Sequence, residues 1–319
     1  MRTALYDVVV LGAGPAGLTA ALYAARGKLK TLVLTGSMVG GQIALTYEVD
    51  NYPGFPDGVT GSDLSDKFKA HAERFGTEFL KGEATKVDFD SNPHKIWVGD
   101  KLLETRSVVV ATGMTNRKLG VSGEDRLMGR GVIICATCDA ILYEDRKVVV
   151  VGGGDSALQE ALDLAKFASE ITIIHRRSEL RACKCLTDRA TQDPKIRFLY
   201  DTTVVEIIGE KRVERVKLRD LKTGEVKLLE TDGVLLAIGW DPNTSIFRDQ
   251  LEMDEAGYIK SEGVKSSKPG VFLAGDLIDR QYRQVVTSCG SGCAAALEAI
   301  SWVDAQSNHS DVLKWGAQS

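Results

Sequence analysis

Two strand–turn–helix units with glycine-rich turns constrain the fold of this chain more than any other feature. The first begins with residues 6–12, YDVVVLG, an apolar run typical of a strand buried on both faces. GAGPAG follows and places Gly12, Gly14 and Gly17 at the spacing G-x-G-x-x-G, before an alanine-rich helix and the strand TLVLTG. In such a turn the first glycine permits a tight bend, the second lets the backbone approach a pyrophosphate, and the third packs helix on strand. The segment therefore predicts a dinucleotide site.

The same arrangement recurs near the middle of the chain. KVVVVGGGDSA is a strand followed by Gly152 and Gly154, with Ala157 in the third position, and a helix and the strand EITIIH complete the unit. The phosphates of a dinucleotide would face the positive N-terminal end of each helix. Two units of this kind predict an α/β protein that binds two dinucleotides.

Basic residues after the second unit indicate which dinucleotide binds there. A site for NAD usually offers an acidic residue at this place, which accepts hydrogen bonds from the ribose 2′-hydroxyl. This chain has HRRSELRA instead, with Arg176, Arg177 and Arg181. Guanidinium groups suit a 2′-phosphate and favour NADPH, although a solvated basic helix start is an alternative explanation. The first unit lacks an acidic residue after its second strand, so its motif alone does not name its ligand.

Composition excludes some partners and bears on the cysteines. The chain has 319 residues, enough for about two domains, and a net charge of −4 without a dense run of Lys and Arg. Nucleic acid and anionic membranes are therefore not expected as partners. The start lacks the features of a signal peptide, and no apolar run approaches the ~20 residues that span a bilayer, so we expect a cytoplasmic protein. In a reducing compartment, a Cys-x-x-Cys pair points to redox or metal chemistry.

Such a pair, Cys135 and Cys138, lies in the segment CATCDA shortly before the second unit. The spacing allows a zinc site, a structural crosslink, or a disulfide that opens and closes during turnover. Zinc would require two further thiolates, and the available Cys183 and Cys185 form a Cys-x-Cys pair, whose spacing suits zinc poorly. One helical turn brings sulfurs three residues apart into disulfide range, and a thiolate near a helix N-terminus is stabilised.

Motifs spread over almost the whole chain resemble those of the low-molecular-weight, NADPH-dependent thioredoxin reductases. They are GAGPAG, GGQI, NYPGFPDG, ATG, CATCDA, GGGDSALQEA, HRRSELRA, AIGWDPNT and AGDLIDRQYRQVVTSCGSGCAAA. The resemblance implies an α/β fold with two Rossmann-like dinucleotide-binding domains. Residues 1–115 and 245–319 would form a discontinuous FAD domain, and residues 116–244 an inserted NADPH domain that carries the redox pair.

The same resemblance implies a set of site residues. Those expected at FAD are Gly12, Gly14, Pro15, Ala16, Gly17, Gly40, Gly41, Gln42, Asn51, Thr112, Gly113, Gly275, Asp276, Arg283, Gln284 and Val285. Those expected at NADPH are Gly152, Gly154, Asp155, Ser156, Ala157, His175, Arg176, Arg177 and Arg181. By matching positions, Cys138 is the flavin-side thiol, Cys135 the thiol that attacks the partner, and Asp139 the acid that protonates the leaving thiolate. No metal is expected.

The implied activity is that of a homodimeric flavoprotein oxidoreductase. Electrons would pass from NADPH through FAD and the Cys135–Cys138 disulfide to thioredoxin. Alternatives within the same chemistry are ferredoxin as the donor, or a peroxiredoxin-type or glutaredoxin-like protein as the acceptor. A scaffold without enzymatic activity is the alternative from another class.

The remaining cysteines and histidines are expected to have no catalytic role. Cys183 and Cys185 are predicted to contribute to packing, and Cys289 and Cys293, four residues apart, to lie buried near the flavin without forming a disulfide. His71, His94 and His309 have no catalytic neighbours in the sequence and are expected at the surface.

Overall fold

A computed structural model describes residues 5–46 and 48–316 of the chain. The chain divides into two compact units, one made of Met1–Thr115 with Asp241–Ser319 and the other of Asn116–Trp240. The second unit is inserted between the two parts of the first. Each contains a parallel sheet with helices, which confirms the predicted α/β class.

The helices and strands have the following bounds. In the first unit the strands are β1 Leu5–Leu11, β2 Thr31–Leu34, β3 Glu78–Leu80, β4 Lys86–Asp88, β5 His94–Val98, β6 Lys101–Val110 and β17 Val271–Leu273, and the helices are α1 Pro15–Arg26, α2 Gly61–Glu73 and α7 Val285–Gly316. In the second unit the strands are β8 Val132–Ile133, β9 Lys147–Val151, β10 Glu170–Ile174, β11 Ile196–Leu199, β12 Thr202–Ile208, β13 Arg215–Asp220, β14 Val226–Glu230 and β15 Gly233–Leu236, and the helices are α3 Glu124–Leu127, α4 Ala136–Asp139, α5 Asp155–Leu164 and α6 Lys184–Gln192. The short strands β7 Met114–Asn116 and β16 Trp240–Pro242 form a separate two-stranded sheet. One-turn 3₁₀ helices cover Gly41–Leu45, Ala140–Tyr143 and Ser245–Phe247.

The main sheet of the first unit is built around β1. Its strand order is β3-β2-β1-β6-β5-β4, and β17 also pairs with β6. Strands β3, β2, β1, β6 and β17 run parallel, whereas β5 and β4 are antiparallel. The long strand β6 pairs with β5 in its first half and with β17 in its second half, which joins the antiparallel part of the sheet to the parallel part.

Residues 8–11 of strand β1 are all apolar because both faces of this sheet are covered there. Val9 and Leu11 pack into one hydrophobic cluster, and Val8 and Val10 pack into another on the opposite face. Successive side chains of a strand point to opposite faces, so a strand between two buried faces has no position for a polar residue. The predicted burial of both faces of this strand is confirmed.

Helices α1 and α7 cover one face of the sheet and pack closely through small residues. Gly292 of α7 lies so near α1 that an added Cβ would be 2.2 Å from the carbonyl oxygen of Ala16. At the other end of α1, a Cβ on Gly27 would be 2.7 Å from Cδ1 of Ile300. The two helices therefore run in the same direction, and their N-termini lie together beyond the carboxyl end of β1. Ligands of open α/β sheets bind at this edge.

The second unit also has a parallel sheet buried between two layers, but the layers differ from those of the first unit. Its sheet has the order β11-β10-β9-β15-β8, and every pair is parallel. Val148 and Val150 of β9 pack into a cluster with residues of α5, whereas Val149 and Val151 pack into a cluster with β12 and β13. Helices thus cover one face of the sheet, and the antiparallel sheet β12-β13-β14 covers the other. Among the helices that the structure describes, we find none with the length and apolarity to cross a bilayer.

The expectation that His94 lies at the surface is wrong. It begins β5 with its side chain on the same face as that of Ile96, and it is 7% exposed. Its ring meets that of Phe89 edge-on at a centroid distance of 5.9 Å. Burial lowers the pKa of His94, since it disfavours the charged imidazolium. His71 is exposed as predicted, and the side chain of His309 lies outside the described residues.

Candidate active site

The turn after β1 has the geometry that its glycines predict. Gly12 has a φ of +111°, and a Cβ there would lie 2.3 Å from the carbonyl oxygen of Ala111. A Cβ on Gly17 would lie 2.0 Å from the carbonyl oxygen of Gly12. At Gly14, by contrast, the Cβ position has no neighbour closer than 3.9 Å. The turn therefore leaves open space at the N-terminus of α1, which begins at Pro15, where a pyrophosphate would meet free backbone N–H groups.

The GGQI loop packs directly against this turn. The backbone N–H of Gly40 donates to the carbonyl of Ala13 at 2.7 Å, and the Cα of Gly14 lies 3.4 Å from the Cβ position of Gly41. Both Gly40 and Gly41 have positive φ angles, of 93° and 60°. Two segments that are separated in the sequence thus form one backbone cradle beside the open space.

Residues at the end of β6 are held by a residue that the sequence did not single out. The Oγ1 of Thr112 donates to the carbonyl of Asn243 at 2.7 Å, and the Nδ2 of Asn243 donates to the carbonyl of Thr112 at 3.0 Å. The N–H of Asn243 also donates to the carbonyl of Gly113 at 3.0 Å. Gln42 reaches the same region, since its Nε2 donates to the carbonyl of Met114 at 3.3 Å. Asn243 lies in the motif AIGWDPNT, and its place in this motif is the feature of the sequence that could have identified it as a site residue.

A carboxylate that follows β17 is held at this edge of the sheet by the N-terminal end of α7. Ser288 donates its hydroxyl to Oδ1 of Asp276 at 3.0 Å, and the N–H of Gly275 donates to the hydroxyl of Ser291 at 2.9 Å. Burial raises the pKa of Asp276, whereas the hydrogen bond from Ser288 lowers it. A partly buried carboxyl group with remaining acceptor capacity suits a ligand rich in hydroxyl groups.

Arg283, just before α7, has an unusual environment. Its φ is +49°, its N–H donates to Oδ2 of Asp279 at 2.9 Å, and its Nη2 donates to the hydroxyl of Tyr258 at 2.8 Å. Its Nε is buried and has no hydrogen-bond partner among the described residues. Nearby, Asn51 donates to Oε1 of Gln284 at 3.3 Å. A buried donor without a partner, together with the open space at Gly14, fits a bound cofactor that supplies an acceptor.

The second glycine turn has the same construction. A Cβ on Gly152 would lie 2.4 Å from the carbonyl oxygen of Ala237 and 2.7 Å from the Cβ of Ala157. Apart from its neighbours in the chain, no atom of the described residues lies within 4 Å of the Cβ position of Gly154, and Asp155 and Ser156, which begin α5, are exposed. The turn is thus closed on the side of the sheet and open at the N-terminus of α5.

His175 lies behind this turn. It is 5% exposed, and its Nε2 is 2.9 Å from the carbonyl oxygen of Glu179. A Cβ on Gly153 would lie 2.1 Å from its Nδ1, so the ring packs against the turn itself. The residue therefore supports the backbone of the turn, and its predicted contact with the cofactor stays a prediction.

The three arginines after β10 are exposed and available for an anion. Arg181 is held at the turn, because its N–H donates to the carbonyl of Gly153 at 2.7 Å. The carbonyl of Arg177 accepts from the N–H of Asp201 at 3.2 Å. Within the described parts of the chain, no acidic side chain forms an ion pair with Arg176, Arg177 or Arg181. This leaves three unneutralised guanidinium groups near the second turn.

Cys135 and Cys138 are joined by a disulfide across the single turn of α4, with their Cα atoms 5.4 Å apart. The N–H of Cys138 donates to the Sγ of Cys135 at 3.1 Å. Both residues are partly buried. The bond occupies the two sulfurs that a zinc site would need as thiolates.

Asp139 follows the disulfide directly and is partly buried. Burial, and to a lesser extent the nearby carboxylate of Glu160, raise the pKa of Asp139 to about 7. Glu160, on α5, also accepts a hydrogen bond from the N–H of Ala136 at the start of α4. Glu160 was not among the site residues expected from the sequence, and its only signal there is its place in the motif GGGDSALQEA.

The remaining cysteines divide into two groups. The expectation that Cys183 and Cys185 contribute to packing is wrong, because both are exposed. Their segment is fixed through the backbone instead, since the N–H of Cys183 donates to Oδ1 of Asp155 at 2.7 Å. Cys289 and Cys293 are free and partly buried, and burial raises the pKa of the Cys289 thiol.

Comparison with known proteins identifies the family to which the chain belongs and its fold. The family model for pyridine nucleotide-disulphide oxidoreductases matches residues 6–292. The chain is 46% identical to a thioredoxin reductase of Mycolicibacterium smegmatis, over 95% of this chain and 98% of that protein. It is 43% identical to a bifunctional thioredoxin reductase/thioredoxin of Mycobacterium leprae, over 94% of this chain and 66% of that protein. A solved thioredoxin reductase structure from Streptococcus pyogenes MGAS5005 superimposes with a TM-score of 0.91 at 37% identity, covering 95% of this chain and all of the other, which confirms the predicted two-domain Rossmann-like fold.

Proposed function

We propose that this chain, which belongs to the pyridine nucleotide-disulphide oxidoreductase family, reduces the disulfide of a thioredoxin. The observation that carries the proposal is the Cys135–Cys138 disulfide beside Asp139, in the unit that also holds the second glycine turn. The enzyme is an oxidoreductase that uses FAD and NADPH. When bound, FAD carries two electrons between the nicotinamide and the disulfide.

The residues of the first unit hold FAD in this proposal. The turn at Gly14 and the N-terminus of α1 receive its pyrophosphate, and Asp276 accepts hydrogen bonds from its ribitol. Arg283 donates its partnerless Nε to the cofactor. In the second unit, the turn at Gly154 receives the pyrophosphate of NADPH, and the exposed arginines bind its 2′-phosphate.

The two cysteines have different tasks once their disulfide has been reduced. The thiolate of Cys135 attacks the disulfide of the partner, whose sulfur–sulfur bond breaks and leaves one partner sulfur as a thiolate. Asp139 donates its proton to that leaving thiolate. The thiolate of Cys138 then attacks the sulfur of Cys135, which releases the second partner sulfur and restores the enzyme disulfide. Two electrons and the proton of Asp139 have then passed to the partner, and its second sulfur, which leaves as a thiolate, takes a proton from solvent.

The surface next to the disulfide suits a protein partner. Ile141 and Leu142 directly follow Asp139 and Ala140, and they are 58% and 39% exposed. Large apolar side chains exposed beside a reactive centre are typical of a docking surface. A thioredoxin whose disulfide is flanked by apolar residues would cover both side chains while its sulfur approaches Cys135.

The unneutralised arginines favour NADPH over ferredoxin as the donor. A one-electron carrier protein would have no use for three guanidinium groups beside an open phosphate turn. A peroxiredoxin-type or glutaredoxin-like acceptor remains the second candidate, because the geometry of the disulfide suits any partner with an accessible disulfide. We further propose that the protein works in the cytoplasm as a homodimer. Sedimentation at micromolar concentration should then give twice the mass of 34.6 kDa, whereas a monomer would contradict the proposal.

Anaerobic half-reactions test the proposed activity. The holoenzyme is mixed with NADPH or with NADH, and bleaching of the flavin absorbance is followed before oxidised thioredoxin, peroxiredoxin or glutaredoxin is added. We expect rapid bleaching with NADPH, slow bleaching with NADH, and reoxidation by thioredoxin at one equivalent per dithiol. Bleaching without reoxidation by thioredoxin, but with reoxidation by another of these proteins, would identify that protein as the acceptor.

A further inference from the structure

A carboxylate outside the proposed catalytic groups contacts the helix that carries the disulfide. Glu160 lies on α5, and its Oε2 accepts a hydrogen bond from the N–H of Ala136. Ala136 is the first residue of α4, and Cys135 is its N-cap. The contact therefore joins α5, which begins at the second glycine turn, to the residue that follows the first cysteine.

The hydrogen bond has a structural reason. The first N–H groups of a helix have no partner within that helix, and α4 is only one turn long. Cys138 satisfies its N–H with the Sγ of Cys135, and Glu160 satisfies that of Ala136. Because Ala136 is completely buried, water cannot replace Glu160 at this N–H.

The same carboxylate also lies near Asp139. From α5, Glu160 is the acidic group whose charge acts on Asp139. From the 3₁₀ helix that follows α4, the buried Tyr143 faces Asp139 with its phenol. Around Tyr143 lie further charged groups, namely Arg146, Arg212 and Asp232.

We propose that Glu160 is a positioning residue of the dithiol centre, which holds the one-turn helix carrying both cysteines and places a fixed negative charge beside Asp139. The inference rests on the proposed function, since it assigns a role in the same thiol–disulfide exchange. A negative neighbour disfavours ionisation of a carboxyl group, so Glu160 helps to keep the proton on Asp139 near neutral pH. That proton is the one transferred to the partner's leaving thiolate after Cys135 attacks.

The direction in which loss of the Glu160 charge moves the pKa of Asp139 follows from the structure. The pKa of Asp139 is raised to about 7, first by burial and second by Glu160. Removing the charge of Glu160 lowers this pKa, so Asp139 loses its proton at a lower pH. The acid needed for the exchange is then depleted at neutral pH, while hydride transfer from NADPH to FAD does not use this proton.

Three variants separate the two contributions of Glu160. Glu160→Gln removes the charge and keeps an oxygen that can accept from Ala136. Glu160→Ala removes both. Asp163→Asn is the matched control, because it removes one negative charge from the same helix at a partly buried position whose carboxylate pairs with Lys166.

Infrared titration of the carboxyl band of Asp139 in the oxidised holoenzyme provides a readout that does not depend on the acceptor. The band is assigned by its loss in Asp139→Asn. We expect its midpoint to fall by ~1 pH unit in Glu160→Gln and to stay unchanged in Asp163→Asn. A midpoint that is unchanged in Glu160→Gln, or that shifts equally in both variants, overturns the inference.

The kinetic readout is the pH profile of thioredoxin reduction, with flavin bleaching by NADPH measured in parallel. The alkaline limb of the profile should move to lower pH in Glu160→Gln, and Glu160→Ala should in addition be slower at every pH. Bleaching should remain at the wild-type rate in both. A wild-type enzyme that does not reduce thioredoxin refutes the proposed function, whereas an active wild type with unaltered Glu160 variants refutes the positioning role alone.

Discussion

Cofactor discrimination by the arginine cluster is the most direct test of the NADPH site. Arg176 and Arg177 are exposed, and no described acidic side chain pairs with either. No acidic partner among the described residues would therefore need to be released before they bind a phosphate. Replacing both by Ala should weaken the binding of NADPH and leave that of NADH nearly unchanged, because the two cofactors differ only in the 2′-phosphate.

The magnitude follows from the exposure of the site. Hydrogen bonds to charged groups contribute ~1.5–3 kcal/mol each, and the lower end applies to side chains that stay partly in water. Since ~1.4 kcal/mol corresponds to a factor of ten, each arginine is worth about tenfold in affinity. The KM for NADPH should thus rise at least tenfold in the double variant, and towards ~100-fold if the two contributions are additive.

Steady-state kinetics with both cofactors measure this difference. Arg189→Ala is the matched control, because Arg189 is an exposed arginine of the same unit on α6 and is not part of the motif HRRSELRA. High salt should raise the wild-type KM for NADPH towards that of the variant, since screening weakens contacts between exposed charges. Equal losses with NADPH and NADH, or an equal loss in the control, would refute the assignment.

The remaining predictions concern the dithiol centre. In Cys135→Ser, we expect Cys138 to remain beside oxidised flavin and give a long-wavelength charge-transfer band. Cys138→Ser should lack this band and still form mixed disulfides with thioredoxin. If the two spectra are the other way round, the roles of the two cysteines are reversed. The pKa of Asp139 is raised to about 7, so its proton is present below that pH and lost above it. The rate of thioredoxin reduction should therefore fall as the pH rises through 7. Asp139→Asn should be ~10²–10⁴-fold slower, and its rate should not show this fall with pH. A variant that keeps the wild-type pH profile would exclude Asp139 as the acid. Replacing Ile141 and Leu142 by Ser should raise the KM for thioredoxin and leave the rate with a small disulfide reagent unchanged; equal effects on both would argue against a docking surface.

Local patterns in the sequence were enough to predict the two glycine turns, whereas the bond between the redox cysteines was one of three possibilities that their spacing allowed and was implied by the family resemblance. The φ of +111° at Gly12 and the near contact of Gly17 with that turn depend on residues within a few positions of each other. The disulfide between Cys135 and Cys138 likewise needs only one helical turn. The apolar run in residues 6–12 predicted a strand buried on both faces, and residues 8–11 of β1 are fully buried.

Local sequence patterns do not predict contacts between residues that are far apart in the chain. His94 has polar neighbours in the sequence, yet the register of β5 places it on the face of Ile96 and buries it. Cys183 and Cys185 were expected to pack, but their segment follows the outer side of the turn at Asp155, where their side chains meet solvent.

The candidate active site itself depends on such distant contacts. Gly292 lets α7 run alongside α1, so that Asp276 and the glycine turn at Gly14 come to the same edge of the sheet from opposite ends of the chain. Glu160 reaches Ala136 only because α5 packs against α4. A sequence motif records which residue types a site requires, but the distance between two side chains far apart in the chain is set by the packing of the elements that carry them.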